Sequence, residues 1–135
     1  MVQNTKAKAG SIINKVKIFY AMGIGANLLV SVVHIAYAFA AYTKIDEQAL
    51  WFFSGALAVI FNAALNLLYL REGTKLIYVT GMIVNLALLI FTILLAFIVA
   101  GAHTICVATI VFYTTVLCYC HNRQMRKNKF ATGSA

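Results

Sequence analysis

The 14 Lys, Arg, Asp and Glu residues of this 135-residue chain are distributed so that three long stretches contain none of them. These stretches run from Ile18 to Thr43, from Gln48 to Leu70 and from Leu76 to Asn122, which are 26, 23 and 47 residues. A helix needs about 20 apolar residues to cross the hydrocarbon of a bilayer. The first two stretches hold one span each. The third holds two, joined by a tight turn placed at Ala100-Gly101-Ala102-His103, where glycine and a polar side chain interrupt the aliphatic run. The chain is 63% hydrophobic and 10% charged, against about 25% charged in an ordinary soluble domain, and a core this small could not hide so much apolar surface from water. The expected fold is all-α, an integral membrane four-helix bundle with transmembrane helices over 18–42, 49–70, 76–99 and 103–121. A basic segment, 1–17, precedes this domain (18–121), and a basic tail, 122–135, follows it.

Charge also predicts orientation. Four spans put both termini on one side with the loop between the second and third helices. That side collects Lys6, Lys8, Lys15, Lys17, Arg71, Lys75, Arg123, Arg126, Lys127 and Lys129, and the other has only Lys44. The positive-inside rule makes the basic side, and both termini, cytoplasmic. Topology and attraction to anionic lipid heads account for the net charge of +8, so no nucleic-acid partner is expected. The apolar run after the basic start is longer than the 7 to 15 residues or so of a signal peptide's core and contains Asn27 and His34, so it is read as a retained span.

Helices one and three can be superposed at an offset of 58. "KIFYAMGIGANL" (17–28) and "KLIYVTGMIVNL" (75–86) share K-x-x-Y-x-x-G-x-x-x-N-L, and Ile35, Ala38 and Phe39 match Ile93, Ala96 and Phe97 further on. Helices two and four match more weakly. The pattern admits a parallel two-plus-two internal repeat, related by an axis along the membrane normal; the alternative is that apolar helices resemble one another by composition.

Depth follows from a rise of about 1.5 Å per residue. Asn27, Asn62, Asn85 and Tyr113 each lie eight or nine residues from the basic end of their spans, near the midplane. Each belongs to a stripe of small and polar residues at helical spacing: Gly23-Asn27-Ser31-His34-Ala38, Ser54-Ala58-Asn62-Asn66-Tyr69, Gly81-Asn85-Leu88-Thr92-Ala96 and Cys106-Thr109-Tyr113-Cys120. Hydrocarbon cannot satisfy a carboxamide, so these faces are expected to turn inward and bond across helices. Small neighbours let the backbones approach. The competing reading uses the same residues, Asn27, Ser31, His34, Asn62, Asn66, Asn85, Thr92 and Tyr113, as a polar site for a ligand or ion.

His34 sits on the first stripe, about 12 Å from the far end of its helix, with Thr92 and Thr109 as expected hydrogen-bond partners. A proton relay or an axial haem ligand are the functional alternatives. Haem between two histidines needs both at one depth, whereas His103 is placed at the outer end of helix four and His121 at the inner end. A packed, neutral His34 is therefore expected, and no cofactor or metal is assigned. Cys118 and Cys120 diverge around their helix and Cys106 is about 18 Å or more distant, so no internal disulfide is expected. "CYCH" (118–121) lacks a second ligand cluster, and Cys120 beside the basic tail is a weak candidate for acylation.

The carboxylates, Asp46, Glu47 and Glu72, are all expected in loops, so no acid is expected within the membrane. In size and span count the chain is similar to the small multidrug-resistance transporters, but it lacks the first-helix glutamate on which they depend. It is also similar in size to the small fluoride channels, without their glycine-rich and arginine-containing signatures. The C-x-x-C of vitamin K epoxide reductases is absent, as are the motifs of hydrolases and metalloproteases. Trp51, Phe52 and Phe53 read as an interfacial aromatic belt. Residues 1–10 and 130–135 are expected to be loosely ordered, with Ser11 as an N-cap. The function expected is a non-enzymatic interaction or accessory subunit, in a homo-oligomer or a larger membrane complex; the alternative is a small transporter or channel lined by the asparagines.

Overall fold

A computed structural model describes residues 2–44 and 46–131, with side chains over 14–44 and 46–128. It contains four helices: α1 (Val2–Ala41), α2 (Glu47–Glu72), α3 (Lys75–Val99) and α4 (Ala102–Ala131). Each is long and apolar enough to cross a membrane, and α3, with a mean hydropathy of 2.9, is the most apolar. The protein is a multi-pass membrane protein. Short connections make successive helices antiparallel neighbours, and α1 packs against α4 to close a ring of four.

Local chemistry sets the helix ends. Asp46 caps α2 by accepting the Ala49 N–H at 2.8 Å. Gly73 ends α2 in the left-handed region at φ 64°, where the absence of Cβ removes the steric cost. Thr74 then starts α3, accepting from the Ile77 N–H, so one glycine and one threonine turn the chain between two spans. The α3–α4 turn falls where the sequence places it, with one difference. The left-handed residue is Ala100, at φ 48°, and not the adjacent Gly101. Gly101 serves another need: a Cβ there would lie 2.7 Å from Cε1 of His103, so the missing side chain gives the imidazole its place.

Two sequence expectations about the ends do not hold. The residues 2–10, expected to be loosely ordered, are helical, and α1 runs through Ser11 without a cap. Lys6, Ala7, Lys8 and Ala9 favour helix and no proline interrupts this stretch, so the helix continues past the start of the uncharged run. At the other end α4 extends to Ala131, and 132–135 lie outside the described residues.

Inside the ring, side chains form layers. Toward the basic end, Tyr20, Ile24, Ala63, Tyr69 and Cys118 pack together. Further along, Val59, Leu88 and Val111 make a second apolar layer. Asn66 lies within the first layer, between Ala63 and Tyr69 along α2 and bonded to Tyr20. Outside, large apolar side chains face away from the bundle, with Phe97 and Ile98 more than 80% exposed. In water this would be an aggregation surface; in lipid it is the expected exterior.

Candidate functional site

Asn27, Asn62, Asn66 and Asn85 have no exposed surface, and Ser31 and Thr92 are also buried. The amides of Asn66 on α2 and Asn85 on α3 face each other and exchange two hydrogen bonds, each Nδ2 donating to the other Oδ1 at 2.9 Å. The Tyr20 hydroxyl of α1 donates to the same Asn66 Oδ1 at 2.6 Å. Asn66 Nδ2 also donates to the Asn62 carbonyl at 2.7 Å. One carboxamide thus joins three helices with both of its donor positions and both acceptor positions in use.

A second junction lies between α1 and α4. Asn27 Nδ2 donates to Thr114 Oγ1 at 2.7 Å and to the Gly23 carbonyl at 3.0 Å. Thr114 in turn donates to the Ile110 carbonyl, and Ser31 donates to the Asn27 carbonyl at 2.8 Å. Gly23 makes the approach possible, because a Cβ there would sit 2.9 Å from Thr114 Oγ1 and 3.3 Å from the Tyr113 ring. Among the buried asparagine side chains, Asn27 Oδ1 and Asn62 Nδ2 are left without a hydrogen-bond partner.

Among the sequence candidates, Asn66 and Asn85 meet directly, Asn62 accepts from Asn66 one turn away, and Asn27 belongs to the separate junction with Thr114. Thr92 is buried but spends its hydroxyl on the Leu89 carbonyl of its own helix. Tyr113 is not part of the interior. It is 41% exposed, with its ring edge against Gly23, and the inward position belongs to its neighbour Thr114. The stripe Cys106-Thr109-Tyr113-Cys120 is accordingly not the buried face of α4: Cys106 and Thr109 are exposed. The buried face follows Thr104, Val111, Thr114, Cys118 and His121. On α2 the stripe holds for Asn62, Asn66 and Tyr69, but Ser54 and Ala58 are exposed and Ala56 and Val59 replace them. Steps of four residues precess about 40° each around a helix, so a stripe built from them leaves the buried face within two turns.

His34 is half-buried and does not meet Thr92 or Thr109 in the expected way. The Thr109 hydroxyl, like that of Thr92, goes to its own backbone, at Ile105. The imidazole stacks on Phe52, with ring centres 3.9 Å apart and planes within 4°. Phe52 is thus half-buried against α1, while Trp51 beside it is exposed as an interfacial anchor would be. His103 also lies closer than depth counting places it, its ring centre 6.3 Å from that of His34. Depth measured along helix axes leaves out the reach of side chains across the bundle.

At the basic end, the buried His121 ring sits 5.6 Å from Tyr20 and 5.8 Å from Tyr69, and Tyr69 donates to Asn122 Oδ1 at 3.1 Å. All three cysteines are free, with Cys118 buried. Among the described residues no three His, Cys, Asp or Glu side chains gather as a metal site would require. No protein-family model, curated protein or solved structure matches the chain.

Proposed function

We propose that this chain is a non-enzymatic membrane subunit, a small bundle that associates with itself or with a larger membrane assembly, oriented with both termini cytoplasmic. The observation that carries this reading is the closed Asn66–Asn85–Tyr20 cluster, in which the interior polar groups are spent on one another and not presented to a solute. The chemistry left for partners is then on the outer faces, which are apolar and lipid-facing. The ten-to-one distribution of basic residues between the two ends supports the orientation.

Alanine at Asn27, Asn62 and Asn85 tests it, with complex size measured in mild detergent beside the amount of folded protein. The reading expects assembly to fall only as far as folded protein falls. A second reading, a small transporter or channel, is favoured by the two unpartnered atoms Asn27 Oδ1 and Asn62 Nδ2, which offer an acceptor and a donor at the midplane. Solute or ion flux into proteoliposomes that disappears in correctly folded Asn27→Ala or Asn62→Ala protein would favour that reading over ours.

A further inference from the structure

The residues Cys106, Thr109, Tyr113 and Cys120 share one face of α4, and it is the outer one. At about 100° per residue they fall within about 60° of arc, opposite the buried Thr104 and Val111. Cys106, Thr109 and Tyr113 are exposed. Building on the reading of the chain as a subunit that associates with itself, we infer that this face is the seam of a homodimer, in which Tyr113 of each copy donates to the partner subunit's Thr109.

One hydroxyl carries the argument. Tyr113 lies 11 residues from Ala102 and 10 from Arg123, so it is about 15 Å from either end of the uncharged part of α4, farther than its side chain can reach. Its hydroxyl has no hydrogen-bond partner among the described residues. A polar group left unpaired in hydrocarbon is costly, and lipid tails offer no acceptor. A second protein surface does.

The direction of the side chains makes a copy of this chain fit that role. Side chains on a helix lean toward its N-terminus, so the Tyr113 hydroxyl lies over the turn that holds Thr109. The ten-to-one charge bias inserts both copies the same way up, so the two-fold axis between them follows the membrane normal and equivalent residues share one depth. Each Tyr113 hydroxyl then stands level with the partner subunit's Thr109. Thr109 spends its own proton on the Ile105 carbonyl at 2.8 Å, which leaves its oxygen free to accept. A donor and an acceptor one turn apart on one face are self-complementary, as a two-fold interface requires.

The test is dimerisation of the full chain in liposomes, read by energy transfer between copies labelled at the N-terminus. The wild type is expected to dimerise. Tyr113→Phe and Thr109→Val should each weaken the dimer about tenfold, since each removes two bonds per dimer. Tyr119→Phe, which deletes an exposed hydroxyl of α4 away from this face, should leave it unchanged. None of these hydroxyls joins helices within the described residues, so the variants keep the fold. A second readout uses the native thiols. In Cys120→Ser protein the exposed thiol is Cys106, Cys118 being buried, and oxidation by copper phenanthroline should link two copies through it; adding Cys106→Ser should abolish the link. A monomeric wild type, a dimer indifferent to Tyr113→Phe, or no link through Cys106 would overturn the seam. The subunit reading falls on a different result, solute flux that depends on Asn27 or Asn62.

Discussion

Asn66 on α2 and Asn85 on α3 form a closed pair of amides, each donating to the other at 2.9 Å, in a layer without exposed surface. Helices in lipid gain no hydrophobic drive to associate, so packing and bonds of this kind hold them together. The pair also sets register, because sliding either helix by one residue would turn one amide away from the other.

Asn66 is expected to be the costliest of the four asparagines to replace. Asn66→Ala strands both the Asn85 amide and the Tyr20 hydroxyl, whereas Asn85→Ala strands one face of Asn66. At about 0.6 to 1.7 kcal/mol for each interhelical bond in a membrane, Asn66→Ala should cost about 2 kcal/mol and Asn85→Ala about 1 kcal/mol. Reversible unfolding in mixed micelles would show the order.

Tyr20→Phe removes a single donor from an oxygen that keeps its bond from Asn85. A loss of about 0.5 to 1.5 kcal/mol follows, less than that of Asn66→Ala in the same unfolding assay.

Two glycines two residues apart on α1 should respond in opposite directions. A Cβ at Gly23 would press on Thr114 Oγ1 and the Tyr113 ring, while a Cβ at Gly25 meets nothing within 4 Å. Gly23→Ala is expected to destabilise by about 1 to 3 kcal/mol through overpacking, and Gly25→Ala to stabilise by up to about 1 kcal/mol through helix propensity. Thermal unfolding in detergent separates the two signs.

The turns supply a second pair of opposite effects. Ala100 occupies the left-handed region with a Cβ, at a cost of about 1 kcal/mol, so Ala100→Gly should raise the melting temperature. Gly73 occupies the same region without one, and Gly73→Ala should lower it by a comparable amount.

The four spans are legible in the sequence because charge is the one feature lipid excludes absolutely enough to mark boundaries, and the turn at Ala100–His103 is legible because glycine and a polar side chain interrupt an uncharged run. The face of α3 is legible too: Gly81, Asn85, Leu88 and Thr92 are all buried. The face of α4 is not. A residue turned toward lipid is as apolar as one turned toward the core, so hydrophobic period does not separate inside from outside. Threonine adds to the confusion, since Thr109 satisfies its hydroxyl on its own helix and has no need to face inward, while Thr114 at the buried position bonds both its own helix and Asn27. The His34–Phe52 stack depends on two side chains crossing between helices, and helical periodicity along either strand of sequence carries no trace of it.

The most direct test of the claim that the polar interior ties helices together is a double-mutant cycle in which Asn66 and Asn85 are each replaced by leucine and then both together. If the reciprocal amides hold α2 to α3, the two losses will be non-additive by about 1 kcal/mol or more, with the double variant no less stable than the worse single one. Additive losses would contradict the account, because they would mean that the two amides do not interact.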